Sequence, residues 1–180
     1  KNYNDIVQKG ENLAIFDQNP FILKVEELQT AVDISNSILK QKKASLEKAK
    51  AELTNAKSNK SGSVAKIGDY ELYIANLKTN LEKQAKLFKK KYISEKEFET
   101  SELDFNRSFF QLQNLQAELL SLEATIDSKV STIKIIEAEI EEIKLLISQR
   151  KLTLRSEKLD LSKTIITSPI KGFILDKHIN

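Results

Sequence analysis

The 180-residue chain has no Cys, no Met and no Trp, only one His, two Pro and four Gly, and no long apolar run. Without cysteine there is no disulfide framework, no thiolate nucleophile and no Cys-ligated metal site, and a single His178 cannot build a histidine cluster. Metal and triad chemistry are therefore not expected, and the catalytic assignment is none. No stretch approaches the ~18 apolar residues of a membrane span, and the chain opens on Lys1 without a signal-like segment. The missing methionine suggests an excised segment, so targeting or anchoring sequence is expected outside it. Lys and Arg number 29 against 26 Asp and Glu, a net charge of +3 that selects no polyanionic partner.

What is present is long, charged and helix-forming. Gly10, Gly62, Gly68, Gly172, Pro20 and Pro169 leave the stretches 21–61 and 69–168 free of the two strongest breakers. From Phe98 to Leu161, steps of +3/+4 give nineteen seam positions of which fourteen are apolar, the exceptions being Ser101, Ser108, Lys129, Arg150 and Glu157. That is a coiled-coil heptad. Upstream the seam is thinner: a run from Leu28 to Ala56, and a second from Ile67 through Tyr70, Ile74, Leu77 and Leu81 to Phe88. Between them Lys57-Ser-Asn-Lys-Ser-Gly-Ser63 removes the stripe, and Gly62 costs about 1 kcal/mol relative to Ala. The spacing predicts a break near 58–68, with Asp69 capping the next helix, and helices over 22–58, 69–91 and 95–164.

One helix over 69–168 would be about 150 Å long at 1.5 Å per residue, so a turn is expected inside it. Ser94 and Glu97 have capping-box spacing, Ile93 and Phe98 flank them as a hydrophobic staple, and Lys89, Lys90 and Lys91 suit a preceding C-terminus. Tyr92-Ile93-Ser94 is thus read as a hairpin tip. Folding there lays 21–91 against 95–165 as antiparallel arms of equal length. The ends differ in texture. Residues 5–16 alternate around Gly10, and 164–175 carry β-branched runs around Pro169 and Gly172, which suit short strands and turns. The fold class is mainly α: a coiled-coil hairpin, 21–165, inserted between two halves, 1–20 and 166–180, of one small β domain.

With those motifs in place the chain resembles the HlyD-type periplasmic adaptor, or membrane fusion protein, family of bacterial tripartite export systems. Val7-Gln-Lys-Gly-Glu-Asn-Leu13 is similar to the family's first lipoyl half-motif. Ile166-Thr-Ser-Pro-Ile-Lys-Gly-Phe-Ile174 is similar to the second, with Ser168 in place of the usual Ala. Adaptors that dock on TolC-like channels carry Arg, three residues, Leu, six residues, Ser; here Lys83, Leu87 and Ser94 hold that spacing. The interrupted first arm also resembles type I secretion adaptors.

The resemblance implies a barrel-sandwich lipoyl-like domain, a TolC-like outer-membrane channel at the tip, an inner-membrane transporter and a ring of about six copies. The transporter would be an ABC exporter of proteins or peptides, or alternatively a major-facilitator or other tripartite multidrug pump. It implies the periplasm of a Gram-negative bacterium, with an inner-membrane anchor outside this segment. Tip residues Lys83, Leu87, Tyr92, Ile93 and Ser94 would meet the channel. A coiled-coil scaffold unrelated to export is the rival reading.

Two further patterns stay open at this level. Five lysines between Lys83 and Lys91 read either as a docking surface or as a solvated helix end; aromatics do not interleave with them, and no nucleic acid is expected. Seam residues Lys42, Lys129 and Arg150 either specify register or snorkel past a loose seam, and snorkelling is the expectation. Glu137, Glu139, Glu141 and Glu142 read as solvation, not as an acid–base pair. His178 reads as an ordinary surface or edge-strand residue. Lys9 and Lys171 sit where a lipoyl lysine might be sought, but the hairpin occupies the turn that would present one, so no cofactor is expected.

Overall fold

The computed structural model describes residues 4–175, and His178 lies outside them. Strands β1 (Ile6–Val7) and β2 (Asn12–Ile15) precede helix α1 (Asn19–Lys89); helix α2 (Glu95–Lys163) is followed by β3 (Ile165–Thr167) and β4 (Gly172–Phe173). The chain divides into two compact units, Lys1–Ala44 with Ala138–Asn180, and Ser45–Glu137.

The first unit holds both chain ends. β1 pairs antiparallel with β4, Ile6 opposite Phe173, and β2 pairs antiparallel with β3, Ile15 opposite Ile165. Every ladder therefore joins one end of the chain to the other. Between β1 and β2 the backbone turns at Gly10, whose φ of +83° suits a residue without Cβ, and Glu11 N–H closes the turn onto the Gln8 carbonyl at 3.1 Å. Gly10 N–H donates to the Ser168 carbonyl at 2.7 Å and Ser168 N–H to the Glu11 carbonyl at 2.9 Å, tying the two half-motifs together. Ser168 is buried, and its hydroxyl donates to the Ile170 carbonyl at 2.6 Å. That bond offsets the cost of burying the hydroxyl, since a buried hydroxyl is costly only when unpartnered.

Pro20 lies inside α1 rather than before it. In a first turn its missing N–H has no partner to lose, the Asp17 carboxylate takes the Asn19 N–H at 3.0 Å, and Ile22 N–H reaches the Gln18 carbonyl. Gln18 Nε2 donates to Thr164 Oγ1 at 2.8 Å, clasping the start of α1 to the end of α2.

In both units the helices meet along the heptad seam. All nineteen α2 positions from Phe98 to Leu161 are buried or half-buried. Arg150, Lys42 and Lys129 are bonded across the seam instead of snorkelling. Arg150 donates to the Ala31 carbonyl at 2.8 Å and to the hydroxyl of Ser35, which is 1% exposed. Lys42 pairs with Glu139 at 2.7 Å and Lys129 with Glu52 at 3.0 Å. These contacts fix one register, because sliding either helix would part the Arg150 guanidinium from the Ala31 carbonyl and the Ser35 hydroxyl, leaving a half-buried charge without those acceptors, while the Ser35 hydroxyl would keep only its bond to its own helix at Ala31.

The expected interruption of the first arm near 58–68 is absent: α1 is helical throughout, and Asp69 caps nothing. Ala56 and Ile67 are separated by eleven residues, which is +4, +3, +4, so the two runs are one seam with Lys60 and Ser63 at the intermediate positions. Both are half-buried, and Lys60 reaches Glu123 at 2.7 Å. Against this continuity stand Gly62 and Gly68, at about 1 kcal/mol each. A real break would leave several backbone N–H and C=O groups without intrahelical partners at each new end, a larger loss. Gly62 is exposed, and a Cβ there would meet nothing within 4 Å. Gly62→Ala should therefore raise the stability of the 180-residue chain by about 1 kcal/mol in denaturant unfolding followed by circular dichroism. An unchanged or lower midpoint would mean the segment bends there after all.

Candidate tip surface

The end of α1 is shaped by backbone chemistry. Tyr92 N–H donates to the Leu87 carbonyl at 3.0 Å and Lys91 N–H to the Phe88 carbonyl at 2.8 Å, while Lys91 has a φ of +59°. This is a Schellman stop with lysine in the left-handed position usually held by glycine. Nothing in the sequence signalled it, since lysine carries no turn preference.

The start of α2 is the expected capping box. Ser94 N–H and Ser94 Oγ both donate to Glu97 Oε2 at 2.8 Å, and Glu97 N–H returns to Ser94 Oγ at 3.3 Å. The Glu97 carboxyl is held below its ordinary 4.5 by the Ser94 backbone N–H first and the Ser94 hydroxyl second. Just inside the turn Phe88 and Phe98 stack across the seam, ring centroids 5.1 Å apart and planes 6° apart. Both rings stood on the seam in the sequence, but their mutual stacking needed the register.

The turn proper is residues 90–94, slightly longer than the expected Tyr92-Ile93-Ser94. Lys83 is exposed, Leu87 is 38% exposed, Tyr92 is 74% exposed, Ile93 is half-buried and Ser94 is exposed. Leu87, Tyr92 and Ser94 thus share the turn region, with Lys83 one helical turn before Leu87. Since Ser94 Oγ is already committed as a donor to Glu97, it can offer an incoming group only an acceptor lone pair. Among the described residues no group of His, Cys, Asp and Glu is disposed to hold a metal, and no helix is long and apolar enough to cross a membrane.

Two outcomes follow for the turn. Lys91→Gly should stabilise the chain by about 1 kcal/mol, by removing a left-handed lysine; a fall in thermal midpoint would contradict the geometry. Because the folded Glu97 pKa is depressed, its stabilisation is present above the ordinary 4.5 and lost as pH falls through the lower folded value. Glu97→Gln should flatten that acid limb of the stability curve, measured by thermal melts from pH 7 downward.

A scan against protein-family models and a search of curated proteins find no match. Among solved structures, the chain is similar to the periplasmic adaptor protein EmrA, with 18% identity and a TM-score of 0.52, all of this chain lying on 62% of that one. It is also similar to the soluble domain of LipC, a membrane fusion protein of a type I secretion system, with 14% identity and a TM-score of 0.56, 96% of this chain lying on 84% of that one. The likeness establishes the fold that the chain shares with these two proteins, of which it spans less than two thirds in the case of EmrA.

Proposed function

We propose that the chain is the hairpin-bearing part of a periplasmic adaptor that joins an inner-membrane transporter to a TolC-like outer-membrane channel. The observation that carries this is the fold likeness to two adaptors over nearly the whole chain, β ends included. On this reading residues 1–20 and 166–180 are halves of a lipoyl-like domain, and residues 21–165 are the inserted hairpin. The protein works in the periplasm, held at the inner membrane by a segment outside these residues. Its role is geometric rather than catalytic: several copies surround a conduit and their tips meet the channel.

The tip chemistry fits a helical, carbonyl-lined or acidic partner. Leu87 supplies apolar contact, Lys83 a charge-assisted donor, and Ser94 an acceptor. Lys83 lacks the planar fork of the arginine usual at that position, so it grips as a point charge. The uninterrupted α1 removes the helix break as a reason to choose an ABC exporter. We retain a protein- or peptide-exporting ABC transporter as the partner on the likeness to LipC, a membrane fusion protein of a type I secretion system, with a multidrug pump as the alternative.

In cells carrying the complete export system, Leu87→Asp should abolish export at wild-type abundance while leaving helix content and melting unchanged. Lys83→Glu should act similarly, and Lys83→Arg should export normally or better. Ser94→Gly, which keeps most of the capping preference without the hydroxyl, separates cap from contact. Normal export by Leu87→Asp overturns the docking assignment.

A further inference from the structure

Both helices carry a second heptad stripe on the face turned away from the first. With the seam residues as positions a and d, position f lies about 170° around the helix from their midpoint. It is the most exposed position and ordinarily the most polar. In the first unit the α1 f residues are Leu23, Thr30, Ser37 and Ala44, and those of α2 are Ala138, Leu145, Leu152 and Leu159. In the second unit α1 contributes Ala51, Ser58, Ala65, Leu72 and Thr79, and α2 contributes Leu103, Phe110, Ala117, Ala124 and Ser131. All are exposed and none is charged, in a chain that is 31% charged. The hydroxyls of Thr30, Ser37, Thr79 and Ser131 each donate to their own helix four residues back, leaving small, largely apolar surfaces.

The two stripes run level with each other, and at six of nine levels they match in size. The pairs Lys42–Glu139, Glu52–Lys129 and Lys60–Glu123 set residue i of α1 level with about residue 182 − i of α2. By that rule Ala44 is level with Ala138, Ala51 with Ser131, Ser58 with Ala124 and Ala65 with Ala117, small against small. Leu23 is level with Leu159 and Leu72 with Phe110, large against large, while at the other three levels Thr30 meets Leu152, Ser37 meets Leu145 and Thr79 meets Leu103, a hydroxyl residue against a leucine in a wholly uncharged stripe. Within one hairpin these residues point to opposite sides, so they can meet only between copies. Closed rotational symmetry adds no axial shift, so in a ring the α1 stripe of one copy meets the α2 stripe of the next at the same level.

The flanks agree. Antiparallel helices meeting along f bring their b positions together on one side, and at the three levels short of the tip where both b residues are charged they read Glu26 with Arg155, Lys40 with Glu141 and Glu47 with Lys134, each pair of opposite sign and each residue exposed. Toward the tip the pattern reverses: Lys86 and Lys96 continue the f stripes and Glu82 and Glu99 the b row, like charge against like. A contact built this way ends before the tip and leaves it to another partner.

We propose that the f stripes are the interface between neighbouring copies of this chain, the α1 stripe of one against the α2 stripe of the next, level and without axial offset. This deepens the adaptor reading by naming the surface that forms the ring, and its test is scored without export. Because residues 1–180 contain no cysteine, engineered pairs report cleanly. In the full-length protein in its membrane, Ala44→Cys/Ala138→Cys and Ser58→Cys/Ala124→Cys should each give a ladder of disulfide-linked multimers on mild oxidation.

Ala44→Cys/Ser131→Cys, seven residues or about 10 Å out of level, should give at least about tenfold less, since a disulfide needs Cα atoms within about 7 Å. The ladder should persist in a Leu87→Asp background, which separates a failed interface from a failed adaptor reading. Absence of the ladder from both matched pairs, equal cross-linking of the offset pair, an equal product from Ala44→Cys alone, or cross-linking chiefly to a different protein would each overturn the proposal.

Discussion

A helix of some seventy residues cannot hold itself straight in water by hydrogen bonds alone, and everything else in this molecule depends on the apolar seam that α1 and α2 cover for each other. The seam is only half-buried at most levels, as expected when two helices shield one stripe each, so no single residue dominates. Its strength is length. A local defect such as Gly62 or the polar run around it is carried by the turns on either side, which stay paired with α2. For the same reason the uniform stripe alone would tolerate slippage by a heptad, and the discrete contacts of Arg150, Lys42 and Lys129 supply the register that apolar contact leaves loose.

That division of labour explains what could be read from residues alone. The α2 seam was legible because fourteen apolar positions at +3/+4 spacing have no other economical explanation, and the capping box because Ser94 and Glu97 name both partners of a reciprocal bond. The break expected at 58–68 follows from local propensity, whereas the continuity of α1 follows from phase, since the eleven residues from Ala56 to Ile67 keep the two runs on one stripe. The bonding of Arg150 to Ser35 was hidden for another reason. It depends on which residue of one arm lies level with which of the other, and that is a property of the turn. The left-handed Lys91 carried no signal, because the backbone there obeys the demands of stopping one helix and starting the next within five residues.

The candidate tip shows a similar mixture. Leu87, Tyr92 and Ser94 are presented together, as their spacing across a turn implied, yet the hydroxyl of Ser94 is engaged by Glu97 in a way that limits what it can offer a partner. Lys83, Lys86, Lys89, Lys90 and Lys91 are all exposed, so their charge is presented to solvent at the tip.

The pairing of strands from opposite chain ends bears on how the molecule can be made. Ile6 bonds opposite Phe173, a separation of 167 residues, and Ile15 opposite Ile165, a separation of 150. Forming such contacts from an open coil would mean closing a very large loop at the outset, the slowest kind of step in folding. The five-residue turn offers another route, since contacts that begin between Phe88 and Phe98 can lengthen one heptad at a time, each step closing only a small loop on what is already formed. A ribosome releases the second arm in the order this requires, turn first and β3 and β4 last. The two ladders can then close only once the whole second arm has been made, and a chain truncated anywhere before Ile165 would leave β1 and β2 as unpaired edges.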